Sequence, residues 1–360
     1  MTGLKVWVVR FGCNFRFPRR LYLRRLRSWL CWCSLCVLLV VIPSQITVVG
    51  AGVIGLTTAL ALQERGFGVR VVAAASGGAI TSAAAGAIWF PFRASPPELV
   101  NRWARVTRSW QAGLAETTRE AGVDVVWQEV YAESDERPWW ADAVDDLEPP
   151  RGDRSAARYI WRFRAPRVEP AMFCSWLMSK LARPVEYRHL ASLAEVSGDL
   201  VVNCTGLGAK LLTDDNQLRG VWGQTTIVSA EGLDLGISIS DERDTEDFFY
   251  SIPRRGEMVL GGCAIAQEGL VAAVPTAEWR AKILDRAARH GLNVSGVLRD
   301  SSGLRPYRDS VRLEVDRRSP RIIHNYGHGG AGYTLCQGCA LDVVGLVEGL
   351  VEGLVGRREM

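Results

Sequence analysis

The 360-residue chain is 48% apolar and 23% charged, an ordinary composition for a soluble protein with room for two domains or one large one. Its formal charge of +4 misleads: residues 1–45 carry eight of the 43 basic residues and no acid, leaving 35 basic against 39 acidic residues beyond them. A mildly acidic body gives no support to nucleic-acid binding.

The chain opens with a basic stretch and then a 14-residue apolar run, Trp29 to Ile42. That run is short of the roughly 20 residues a bilayer span needs. Its layout is that of a signal-peptide core behind a basic segment, but no small-x-small cleavage site follows and a buried strand is expected at once from Ile46. Residues 1 to about 40 are therefore expected to lie outside the working protein, with Val40 or Val41 as a start; export or anchoring is the competing reading. Four of the nine cysteines fall in this stretch, and the other five are expected as buried apolar residues of a reducing compartment. Cys336 and Cys339 form a C-x-x-C without a thioredoxin-like context, so packing is expected there rather than redox chemistry.

The segment 46–74, ITVVGAGVIGLTTALALQERGFGVRVVAA, reads as a buried strand (Ile46–Val49), a Gly50-x-Gly52-x-x-Gly55 turn, a helix to about Arg65 and a second strand (Val69–Val72). In that context the glycines serve a dinucleotide. Gly50 allows the tight turn, Gly52 the approach of backbone to a pyrophosphate, and Gly55 close packing of helix on strand. The helix N-terminus would face the phosphates. The acid expected about 20 residues on, at the ribose, is replaced by Ala73-Ala74-Ala75-Ser76, where Ser76 offers a weaker hydrogen bond. The motif by itself leaves NAD and FAD open. In ITSAAAGAIWFPF (80–92), Thr81 and Ser82 suit a helix start packed against a bulky ligand, while Trp89, Phe90 and Phe92 read as a core aromatic patch.

A helix and then a strand are expected from Pro97 to about Glu136. The stretch 137–170 is rich in Arg, Trp and Pro and shows no clean period, and 170–182 reads as an amphipathic helix. Segments 199–212, 220–230, 247–264 and 321–327 read as strands or strand-turn-strand units, and Thr276–Arg289 as a helix. The strand in 199–212 ends in Thr205-Gly206-x-Gly208, which suits another close approach to a ligand. With α/β elements at both ends and antiparallel strands between, one parallel sheet carrying an insertion fits better than two consecutive domains. In SSGLRPYRDSVRLE (301–314), Arg308 and Arg312 are expected in ion pairs with Asp309 and Glu314. Arg305, next to Pro306, is the best candidate to grip a carboxylate with its planar fork. HNYGHGGAGYT (324–334) is a glycine loop before a smooth apolar helix that starts near Thr334. His324 and His328 lack a third ligand, so no metal is expected and both read as structural hydrogen-bonding residues.

The set of segments VVGAGVIGLTTAL, TSAAAGAIWFPF, VVNCTGLGA, GQTTIV, YSIPRRGEMVLGG, GLRPYRDSVRLE and HNYGHGGAGYTLCQGCAL, in this order, resembles the FAD-dependent D-amino-acid oxidases, a family that includes D-aspartate oxidase. The resemblance implies an α/β fold: a Rossmann-like FAD-binding domain (46–95, 186–230 and 300–356) with an inserted mixed or antiparallel-sheet substrate domain (96–185 and 231–299). It implies that Arg305 grips the substrate carboxylate, that Tyr250 donates to it, and that the Gly330 carbonyl accepts from the amine. It assigns FAD to Gly50, Gly52, Val53, Ile54, Gly55, Thr81, Ser82, Gly86, Leu190, Thr205, Gly206, Gly329, Gly330, Ala331, Gly332, Tyr333 and Thr334. The implied reaction is hydride transfer from Cα to flavin N5, giving a 2-oxo acid, ammonia and, with dioxygen, hydrogen peroxide. The implied partners are a D-amino acid and dioxygen, with a homodimer left open, no membrane and a cytoplasmic setting. The ending GRREM gives no support to a peroxisomal address.

The sequence departs from the family at Ala74 or Ala75 (an acid in many members), at Glu246 (a mobile tyrosine in some) and at Phe90 (a glutamine). The preferred amino acid stays open on that account. D-aspartate oxidation would need an extra cation, for which Arg254 or Arg255 is the candidate. An inactive nucleotide-binding protein and an NAD-dependent dehydrogenase compete with the oxidase reading, and the visible spectrum separates them from it.

Overall fold

The computed structural model describes residues 45–153, 158–244, 247–267 and 274–356. The expectations placed on the N-terminal stretch, on Glu246 and on the last four residues lie outside the described residues.

The chain begins with the expected unit: β1 (Ile46–Val49), α1 (Val53–Glu64) and β2 (Val69–Ala73). All four residues of β1 are buried, as a continuous apolar strand covered on both faces must be. Then come α2 (Pro97–Thr117), β3 (Val123–Ala132), β4 (Glu148–Asp153), β5 (Arg158–Val168), α3 (Pro170–Lys180), β6 (Glu186–Tyr187), β7 (Leu200–Asn203) and the short α4 (Ala209–Leu212). The second half holds β8 (Arg219–Ser229), β9 (Ile237–Asp241), β10 (Phe249–Pro253), β11 (Glu257–Gly261), β12 (Ile265–Gln267), α5 (Ala277–Arg289), β13 (Val297–Val315), β14 (Ile322–His328) and α6 (Gly332–Gly356).

One 14-stranded sheet joins these elements in the order β4-β5-β3-β9-β10-β11-β8-β13-β14-β7-β1-β2-β6, with β12 paired to β8. Strands β14, β7, β1, β2 and β6 form a parallel block, with Val49 level with Asn203 and Val72. From β9 to β14 the pairings are antiparallel. The 19-residue β13 crosses the junction. It pairs with β8 from Val297 to Tyr307 and with β14 mainly from Arg312 to Val315, with a register shift between Tyr307 and Arg312.

The region 137–170 differs from the expectation of no period, because it contains β4 and β5. Tyr159, Trp161, Phe163 and Ala165 of β5 alternate into the core. Arg162 and Arg164 between them complete the alternation, and both cover apolar surface. The guanidinium carbons of Arg162 and Arg164 lie 4.1 and 5.1 Å from the Trp127 ring centroid.

The main core lies under α1 and α6. Cys336, Ala340, Val343 and Val347 of α6 are fully buried against residues such as Leu56 and Leu62. By length and composition α6 could cross a membrane, but these contacts make it a core helix. Helices α2 and α3 belong to the stretch 96–185, yet Trp110, Phe173, Trp176 and Leu177 pack into this same core. The five described cysteines are buried and unpaired, and burial pushes the Cys336 thiol up to about 12. Cys336 and Cys339 are thus packing residues, as expected.

Candidate active site

The five parallel strands end at one place. Residues 49–54 at the end of β1, 73–75 at the end of β2, 188–191 after β6, 204–208 after β7, and 328–330 with 332–333 at the end of β14 all contribute to the wall of a single cavity of about 660 Å³. Ligands of open α/β sheets bind at the carboxyl ends of the strands, and the volume is ample for a cofactor. The turn after β1 is tight. Gly50 has φ +115°, and an added Cβ would overlap the Cys204 carbonyl; a Cβ on Gly55 would overlap the Gly50 carbonyl. The N–H of Val53 at the start of α1 donates to Ser82 Oγ at 3.0 Å. Ser82 thereby braces the helix mouth, and its own carbonyl accepts from Tyr333 Oη at 3.0 Å.

The other half of the cavity is built on the antiparallel strands. Ser240, Tyr250, Gly261 and Thr225 stand level with one another across β9, β10, β11 and β8. The Tyr250 ring lies over Gly261 and the Arg305 guanidinium over Gly223; a Cβ on either glycine would overlap the side chain above it. Arg305 Nη1 donates to the Cys263 carbonyl at 2.8 Å, which fixes the fork and leaves its other donors for a ligand. Burial raises the Tyr250 pKa, and the adjacent Arg305 charge opposes the rise only in part, so the hydroxyl is a donor. A Cβ on Gly330 would stand 2.6 Å from Phe92 Cδ1 and 3.5 Å from Arg305 Cδ, so the glycine loop meets the arginine here.

Gly50, Gly52, Val53, Ile54, Thr81, Ser82, Gly86, Leu190, Thr205, Gly206, Gly329, Gly330, Gly332, Tyr333, Arg305 and Tyr250 all line the cavity. Gly55, Ala331 and Thr334 do not. Gly55 packs under the first turn. Ala331 is fully buried in the aromatic core, and Thr334 Oγ1 is spent on the backbone N–H and carbonyl of Phe90, at 3.1 and 2.8 Å. Ser76 does not reach the cavity either; it accepts from Tyr187 Oη at 2.7 Å. Arg308 pairs with Asp215 at 3.0 Å, not with the neighbouring Asp309, which pairs with Arg219. Arg312 does pair with Glu314, at 2.9 Å.

The two histidines part ways. His324 Nε2 meets Asp316 Oδ2 at 2.9 Å, as a structural residue should. His328 lines the cavity, its buried Nε2 has no hydrogen-bond partner among the described residues, and burial holds its pKa down at about 3, so it stays neutral. Of the aromatic patch, Trp89 is core, while Phe90 and Phe92 also line the cavity. Sequence reasoning missed Arg188, His189, Gly223, Thr225, Ser240 and Glu242, which line it too. A glycine inside a strand, as at Gly223, was the one usable signal.

A model of the FAD dependent oxidoreductase family matches residues 45–346. The chain belongs to the FAD-dependent oxidoreductases. Within this family it is similar to a D-amino-acid oxidase of Rubrobacter xylanophilus, with 37% identity over 321 residues covering 85% of this chain and 96% of that protein. It is also 29% identical over 337 residues to a D-aspartate oxidase of Homo sapiens, covering 86% and 96% of the two chains. Among solved structures, a glycine oxidase from Geobacillus kaustophilus shares the fold, with a TM-score of 0.69 at 20% identity, covering 85% of this chain and 95% of that one.

The cavity of this FAD-dependent oxidoreductase suits FAD. The cradle is closed to side chains at Gly50 and Gly55, and α1 opens at the cavity, where Gly52, Val53 and Ile54 line it and the positive end of the helix suits an anion. Ile88, Phe90, Phe92 and Ile252 add apolar surface to the cavity.

Proposed function

We propose that this oxidoreductase oxidatively deaminates D-amino acids to 2-oxo acids and ammonia. The observation that carries the reading is the seating of Arg305 and Tyr250, side by side over Gly223 and Gly261, where the Gly330 loop meets them. FAD, when bound, would supply the acceptor for the Cα hydride and, through dioxygen, the route to hydrogen peroxide. Gly50, Gly52, Val53, Ile54 and Ser82 would hold its phosphates, Leu190, Thr205 and Gly206 its adenosine half, and Gly86, Gly329, Gly330, Gly332 and Tyr333 the region of the ring. The guanidinium of Arg305 takes the substrate carboxylate through two donors, Tyr250 adds a third, and the Gly330 carbonyl accepts from the amine. These three contacts fix which hydrogen of Cα faces the ring, and orientation then supplies most of the catalysis. The similarity to D-amino-acid oxidases supports this choice of substrate. The five buried free thiols support a cytoplasmic setting.

The test is a purified protein carrying a flavin spectrum and a peroxide assay across D- and L-amino acids. Peroxide from D-amino acids is expected; a flavin-loaded protein that turns over only L-amino acids, or none, would sink the reading. The acidic-substrate alternative loses its candidates. Arg254 is held by Glu169 at 3.1 Å and by the carbonyls of Ala85 and Gly86 at 2.9 and 2.7 Å, Arg255 bonds Glu169 and Asp124, and neither lines the cavity.

Two smaller effects test the clamp. Tyr250→Phe removes one neutral hydroxyl donor worth about 0.5–1.5 kcal/mol, so kcat/KM on D-alanine should fall by up to about tenfold with flavin content unchanged. Gly223→Ala leaves every polar group in place but drives a methyl into the seat of the Arg305 guanidinium. Steady-state kinetics should show kcat/KM down by roughly 10- to 100-fold while the bound flavin spectrum persists.

A further inference from the structure

The cavity ends at β9, the strand farthest along the sheet from the β2–β6 edge among those that line it. There, the residue just past β9 is Glu242, two positions beyond Ser240, which stands level with Tyr250. Ser240 and Glu242 both line the cavity. Among the described residues no hydrogen bond or ion pair reaches the Glu242 carboxylate. Burial pushes its carboxyl up to about 7, against the pull of Arg93 and with a further push from Asp241. Arg93 itself is exposed and does not line the cavity; its guanidinium lies 5.1 and 5.2 Å from the ring centroids of Phe92 and Phe248. Phe90 and Phe92 line the same cavity and give it apolar surface. Glu242 is half-buried at the cavity wall, where a carboxylate is a natural partner for a cationic group that enters the cavity.

We propose that Glu242 sets the side-chain preference, selecting D-amino acids with an aliphatic stem that ends in a cation, the class of D-lysine and D-arginine. The stem lies along Phe90 and Phe92, and the terminal ammonium or guanidinium donates to the Glu242 carboxylate while Arg305 holds the α-carboxylate at the other end. The proposal rests on the D-amino-acid reading above.

The experiment compares kcat/KM of the flavin-loaded enzyme on D-lysine and D-norleucine, which share a stem and differ in the cationic end, for wild type and E242Q. Wild type is expected to favour D-lysine by roughly 10-fold or more, and E242Q to bring the two substrates within about threefold of each other. Equal rates, or a preference for D-norleucine, in wild type would overturn the proposal, as would an E242Q enzyme that keeps the D-lysine preference. The wild-type ratio decides even if E242Q does not load flavin. Oxidation of D-norleucine without a lysine preference refutes the role of Glu242 alone, whereas a loaded enzyme that oxidises no D-amino acid refutes the underlying activity.

Discussion

Arg305→Ala is expected to lower kcat/KM on D-alanine by roughly 10²- to 10⁴-fold. That range corresponds to the loss of two charge-assisted hydrogen bonds at about 1.5–3 kcal/mol each. The arginines nearest in sequence and fold are engaged elsewhere. Arg308 and Arg312 belong to the same long strand but are turned to Asp215 and Glu314. Arg254 is bound by Glu169. Lysine at position 305 should recover only part of the loss, because an ammonium cannot both bond the Cys263 carbonyl and present a planar fork. The alanine variant should still bind flavin, since Arg305 belongs to the antiparallel half of the site. A flavin-loaded Arg305→Ala enzyme with near-wild-type kcat/KM would show that the carboxylate is held elsewhere.

The other large effect concerns the cofactor. Gly50→Ala should give a protein that purifies without flavin colour and melts at a lower temperature. At φ +115° an alanine carries backbone strain of about 1–3 kcal/mol before any contact is counted. Its methyl would also overlap the Cys204 carbonyl at the end of β7. Relief requires β1 and β7 to separate, and their parallel pairing from Ile46 with Leu200 to Val49 with Asn203 is what aims both glycine turns at the cavity. Flavin absorbance per protein and a thermal melt would check this. A yellow Gly50→Ala protein with an unchanged Tm would mean that the turn is less constrained than its geometry implies.

The cofactor half was readable because its signals are local. Gly50, Gly52 and Gly55 act within one strand-turn-helix unit, and the spacing that defines them is also the spacing that makes them work. Arg305 stood out as a candidate because few residues offer a carboxylate a planar fork, and the structure places it in the cavity. The substrate half was less legible because its floor is made by register between distant strands. Nothing local says that Tyr250 will stand beside Gly261 and Ser240, or that Arg308 will meet Asp215 rather than Asp309. Glu242 sits in the run DERDTED, which looks like any solvated charge cluster; only the sheet order turns it inward to the cavity. Thr334 misled in the opposite sense. It lies in the right loop, but Phe90 has already taken its hydroxyl.

Strand β13 also sets a distance. Arg305, the proposed carboxylate clamp, lies two positions before its pairing changes partners, from β8 on one side to β14 of the cofactor block on the other. Clamp and cofactor floor are therefore spaced by a few covalent bonds of the same backbone, not by two bodies free to swing apart. The reacting carbon is presented at a fixed reach whatever amino acid enters. Tolerance for different side chains must then come from the far wall, where the chain turns past β9, and the enzyme can change its diet there without recalibrating its chemistry.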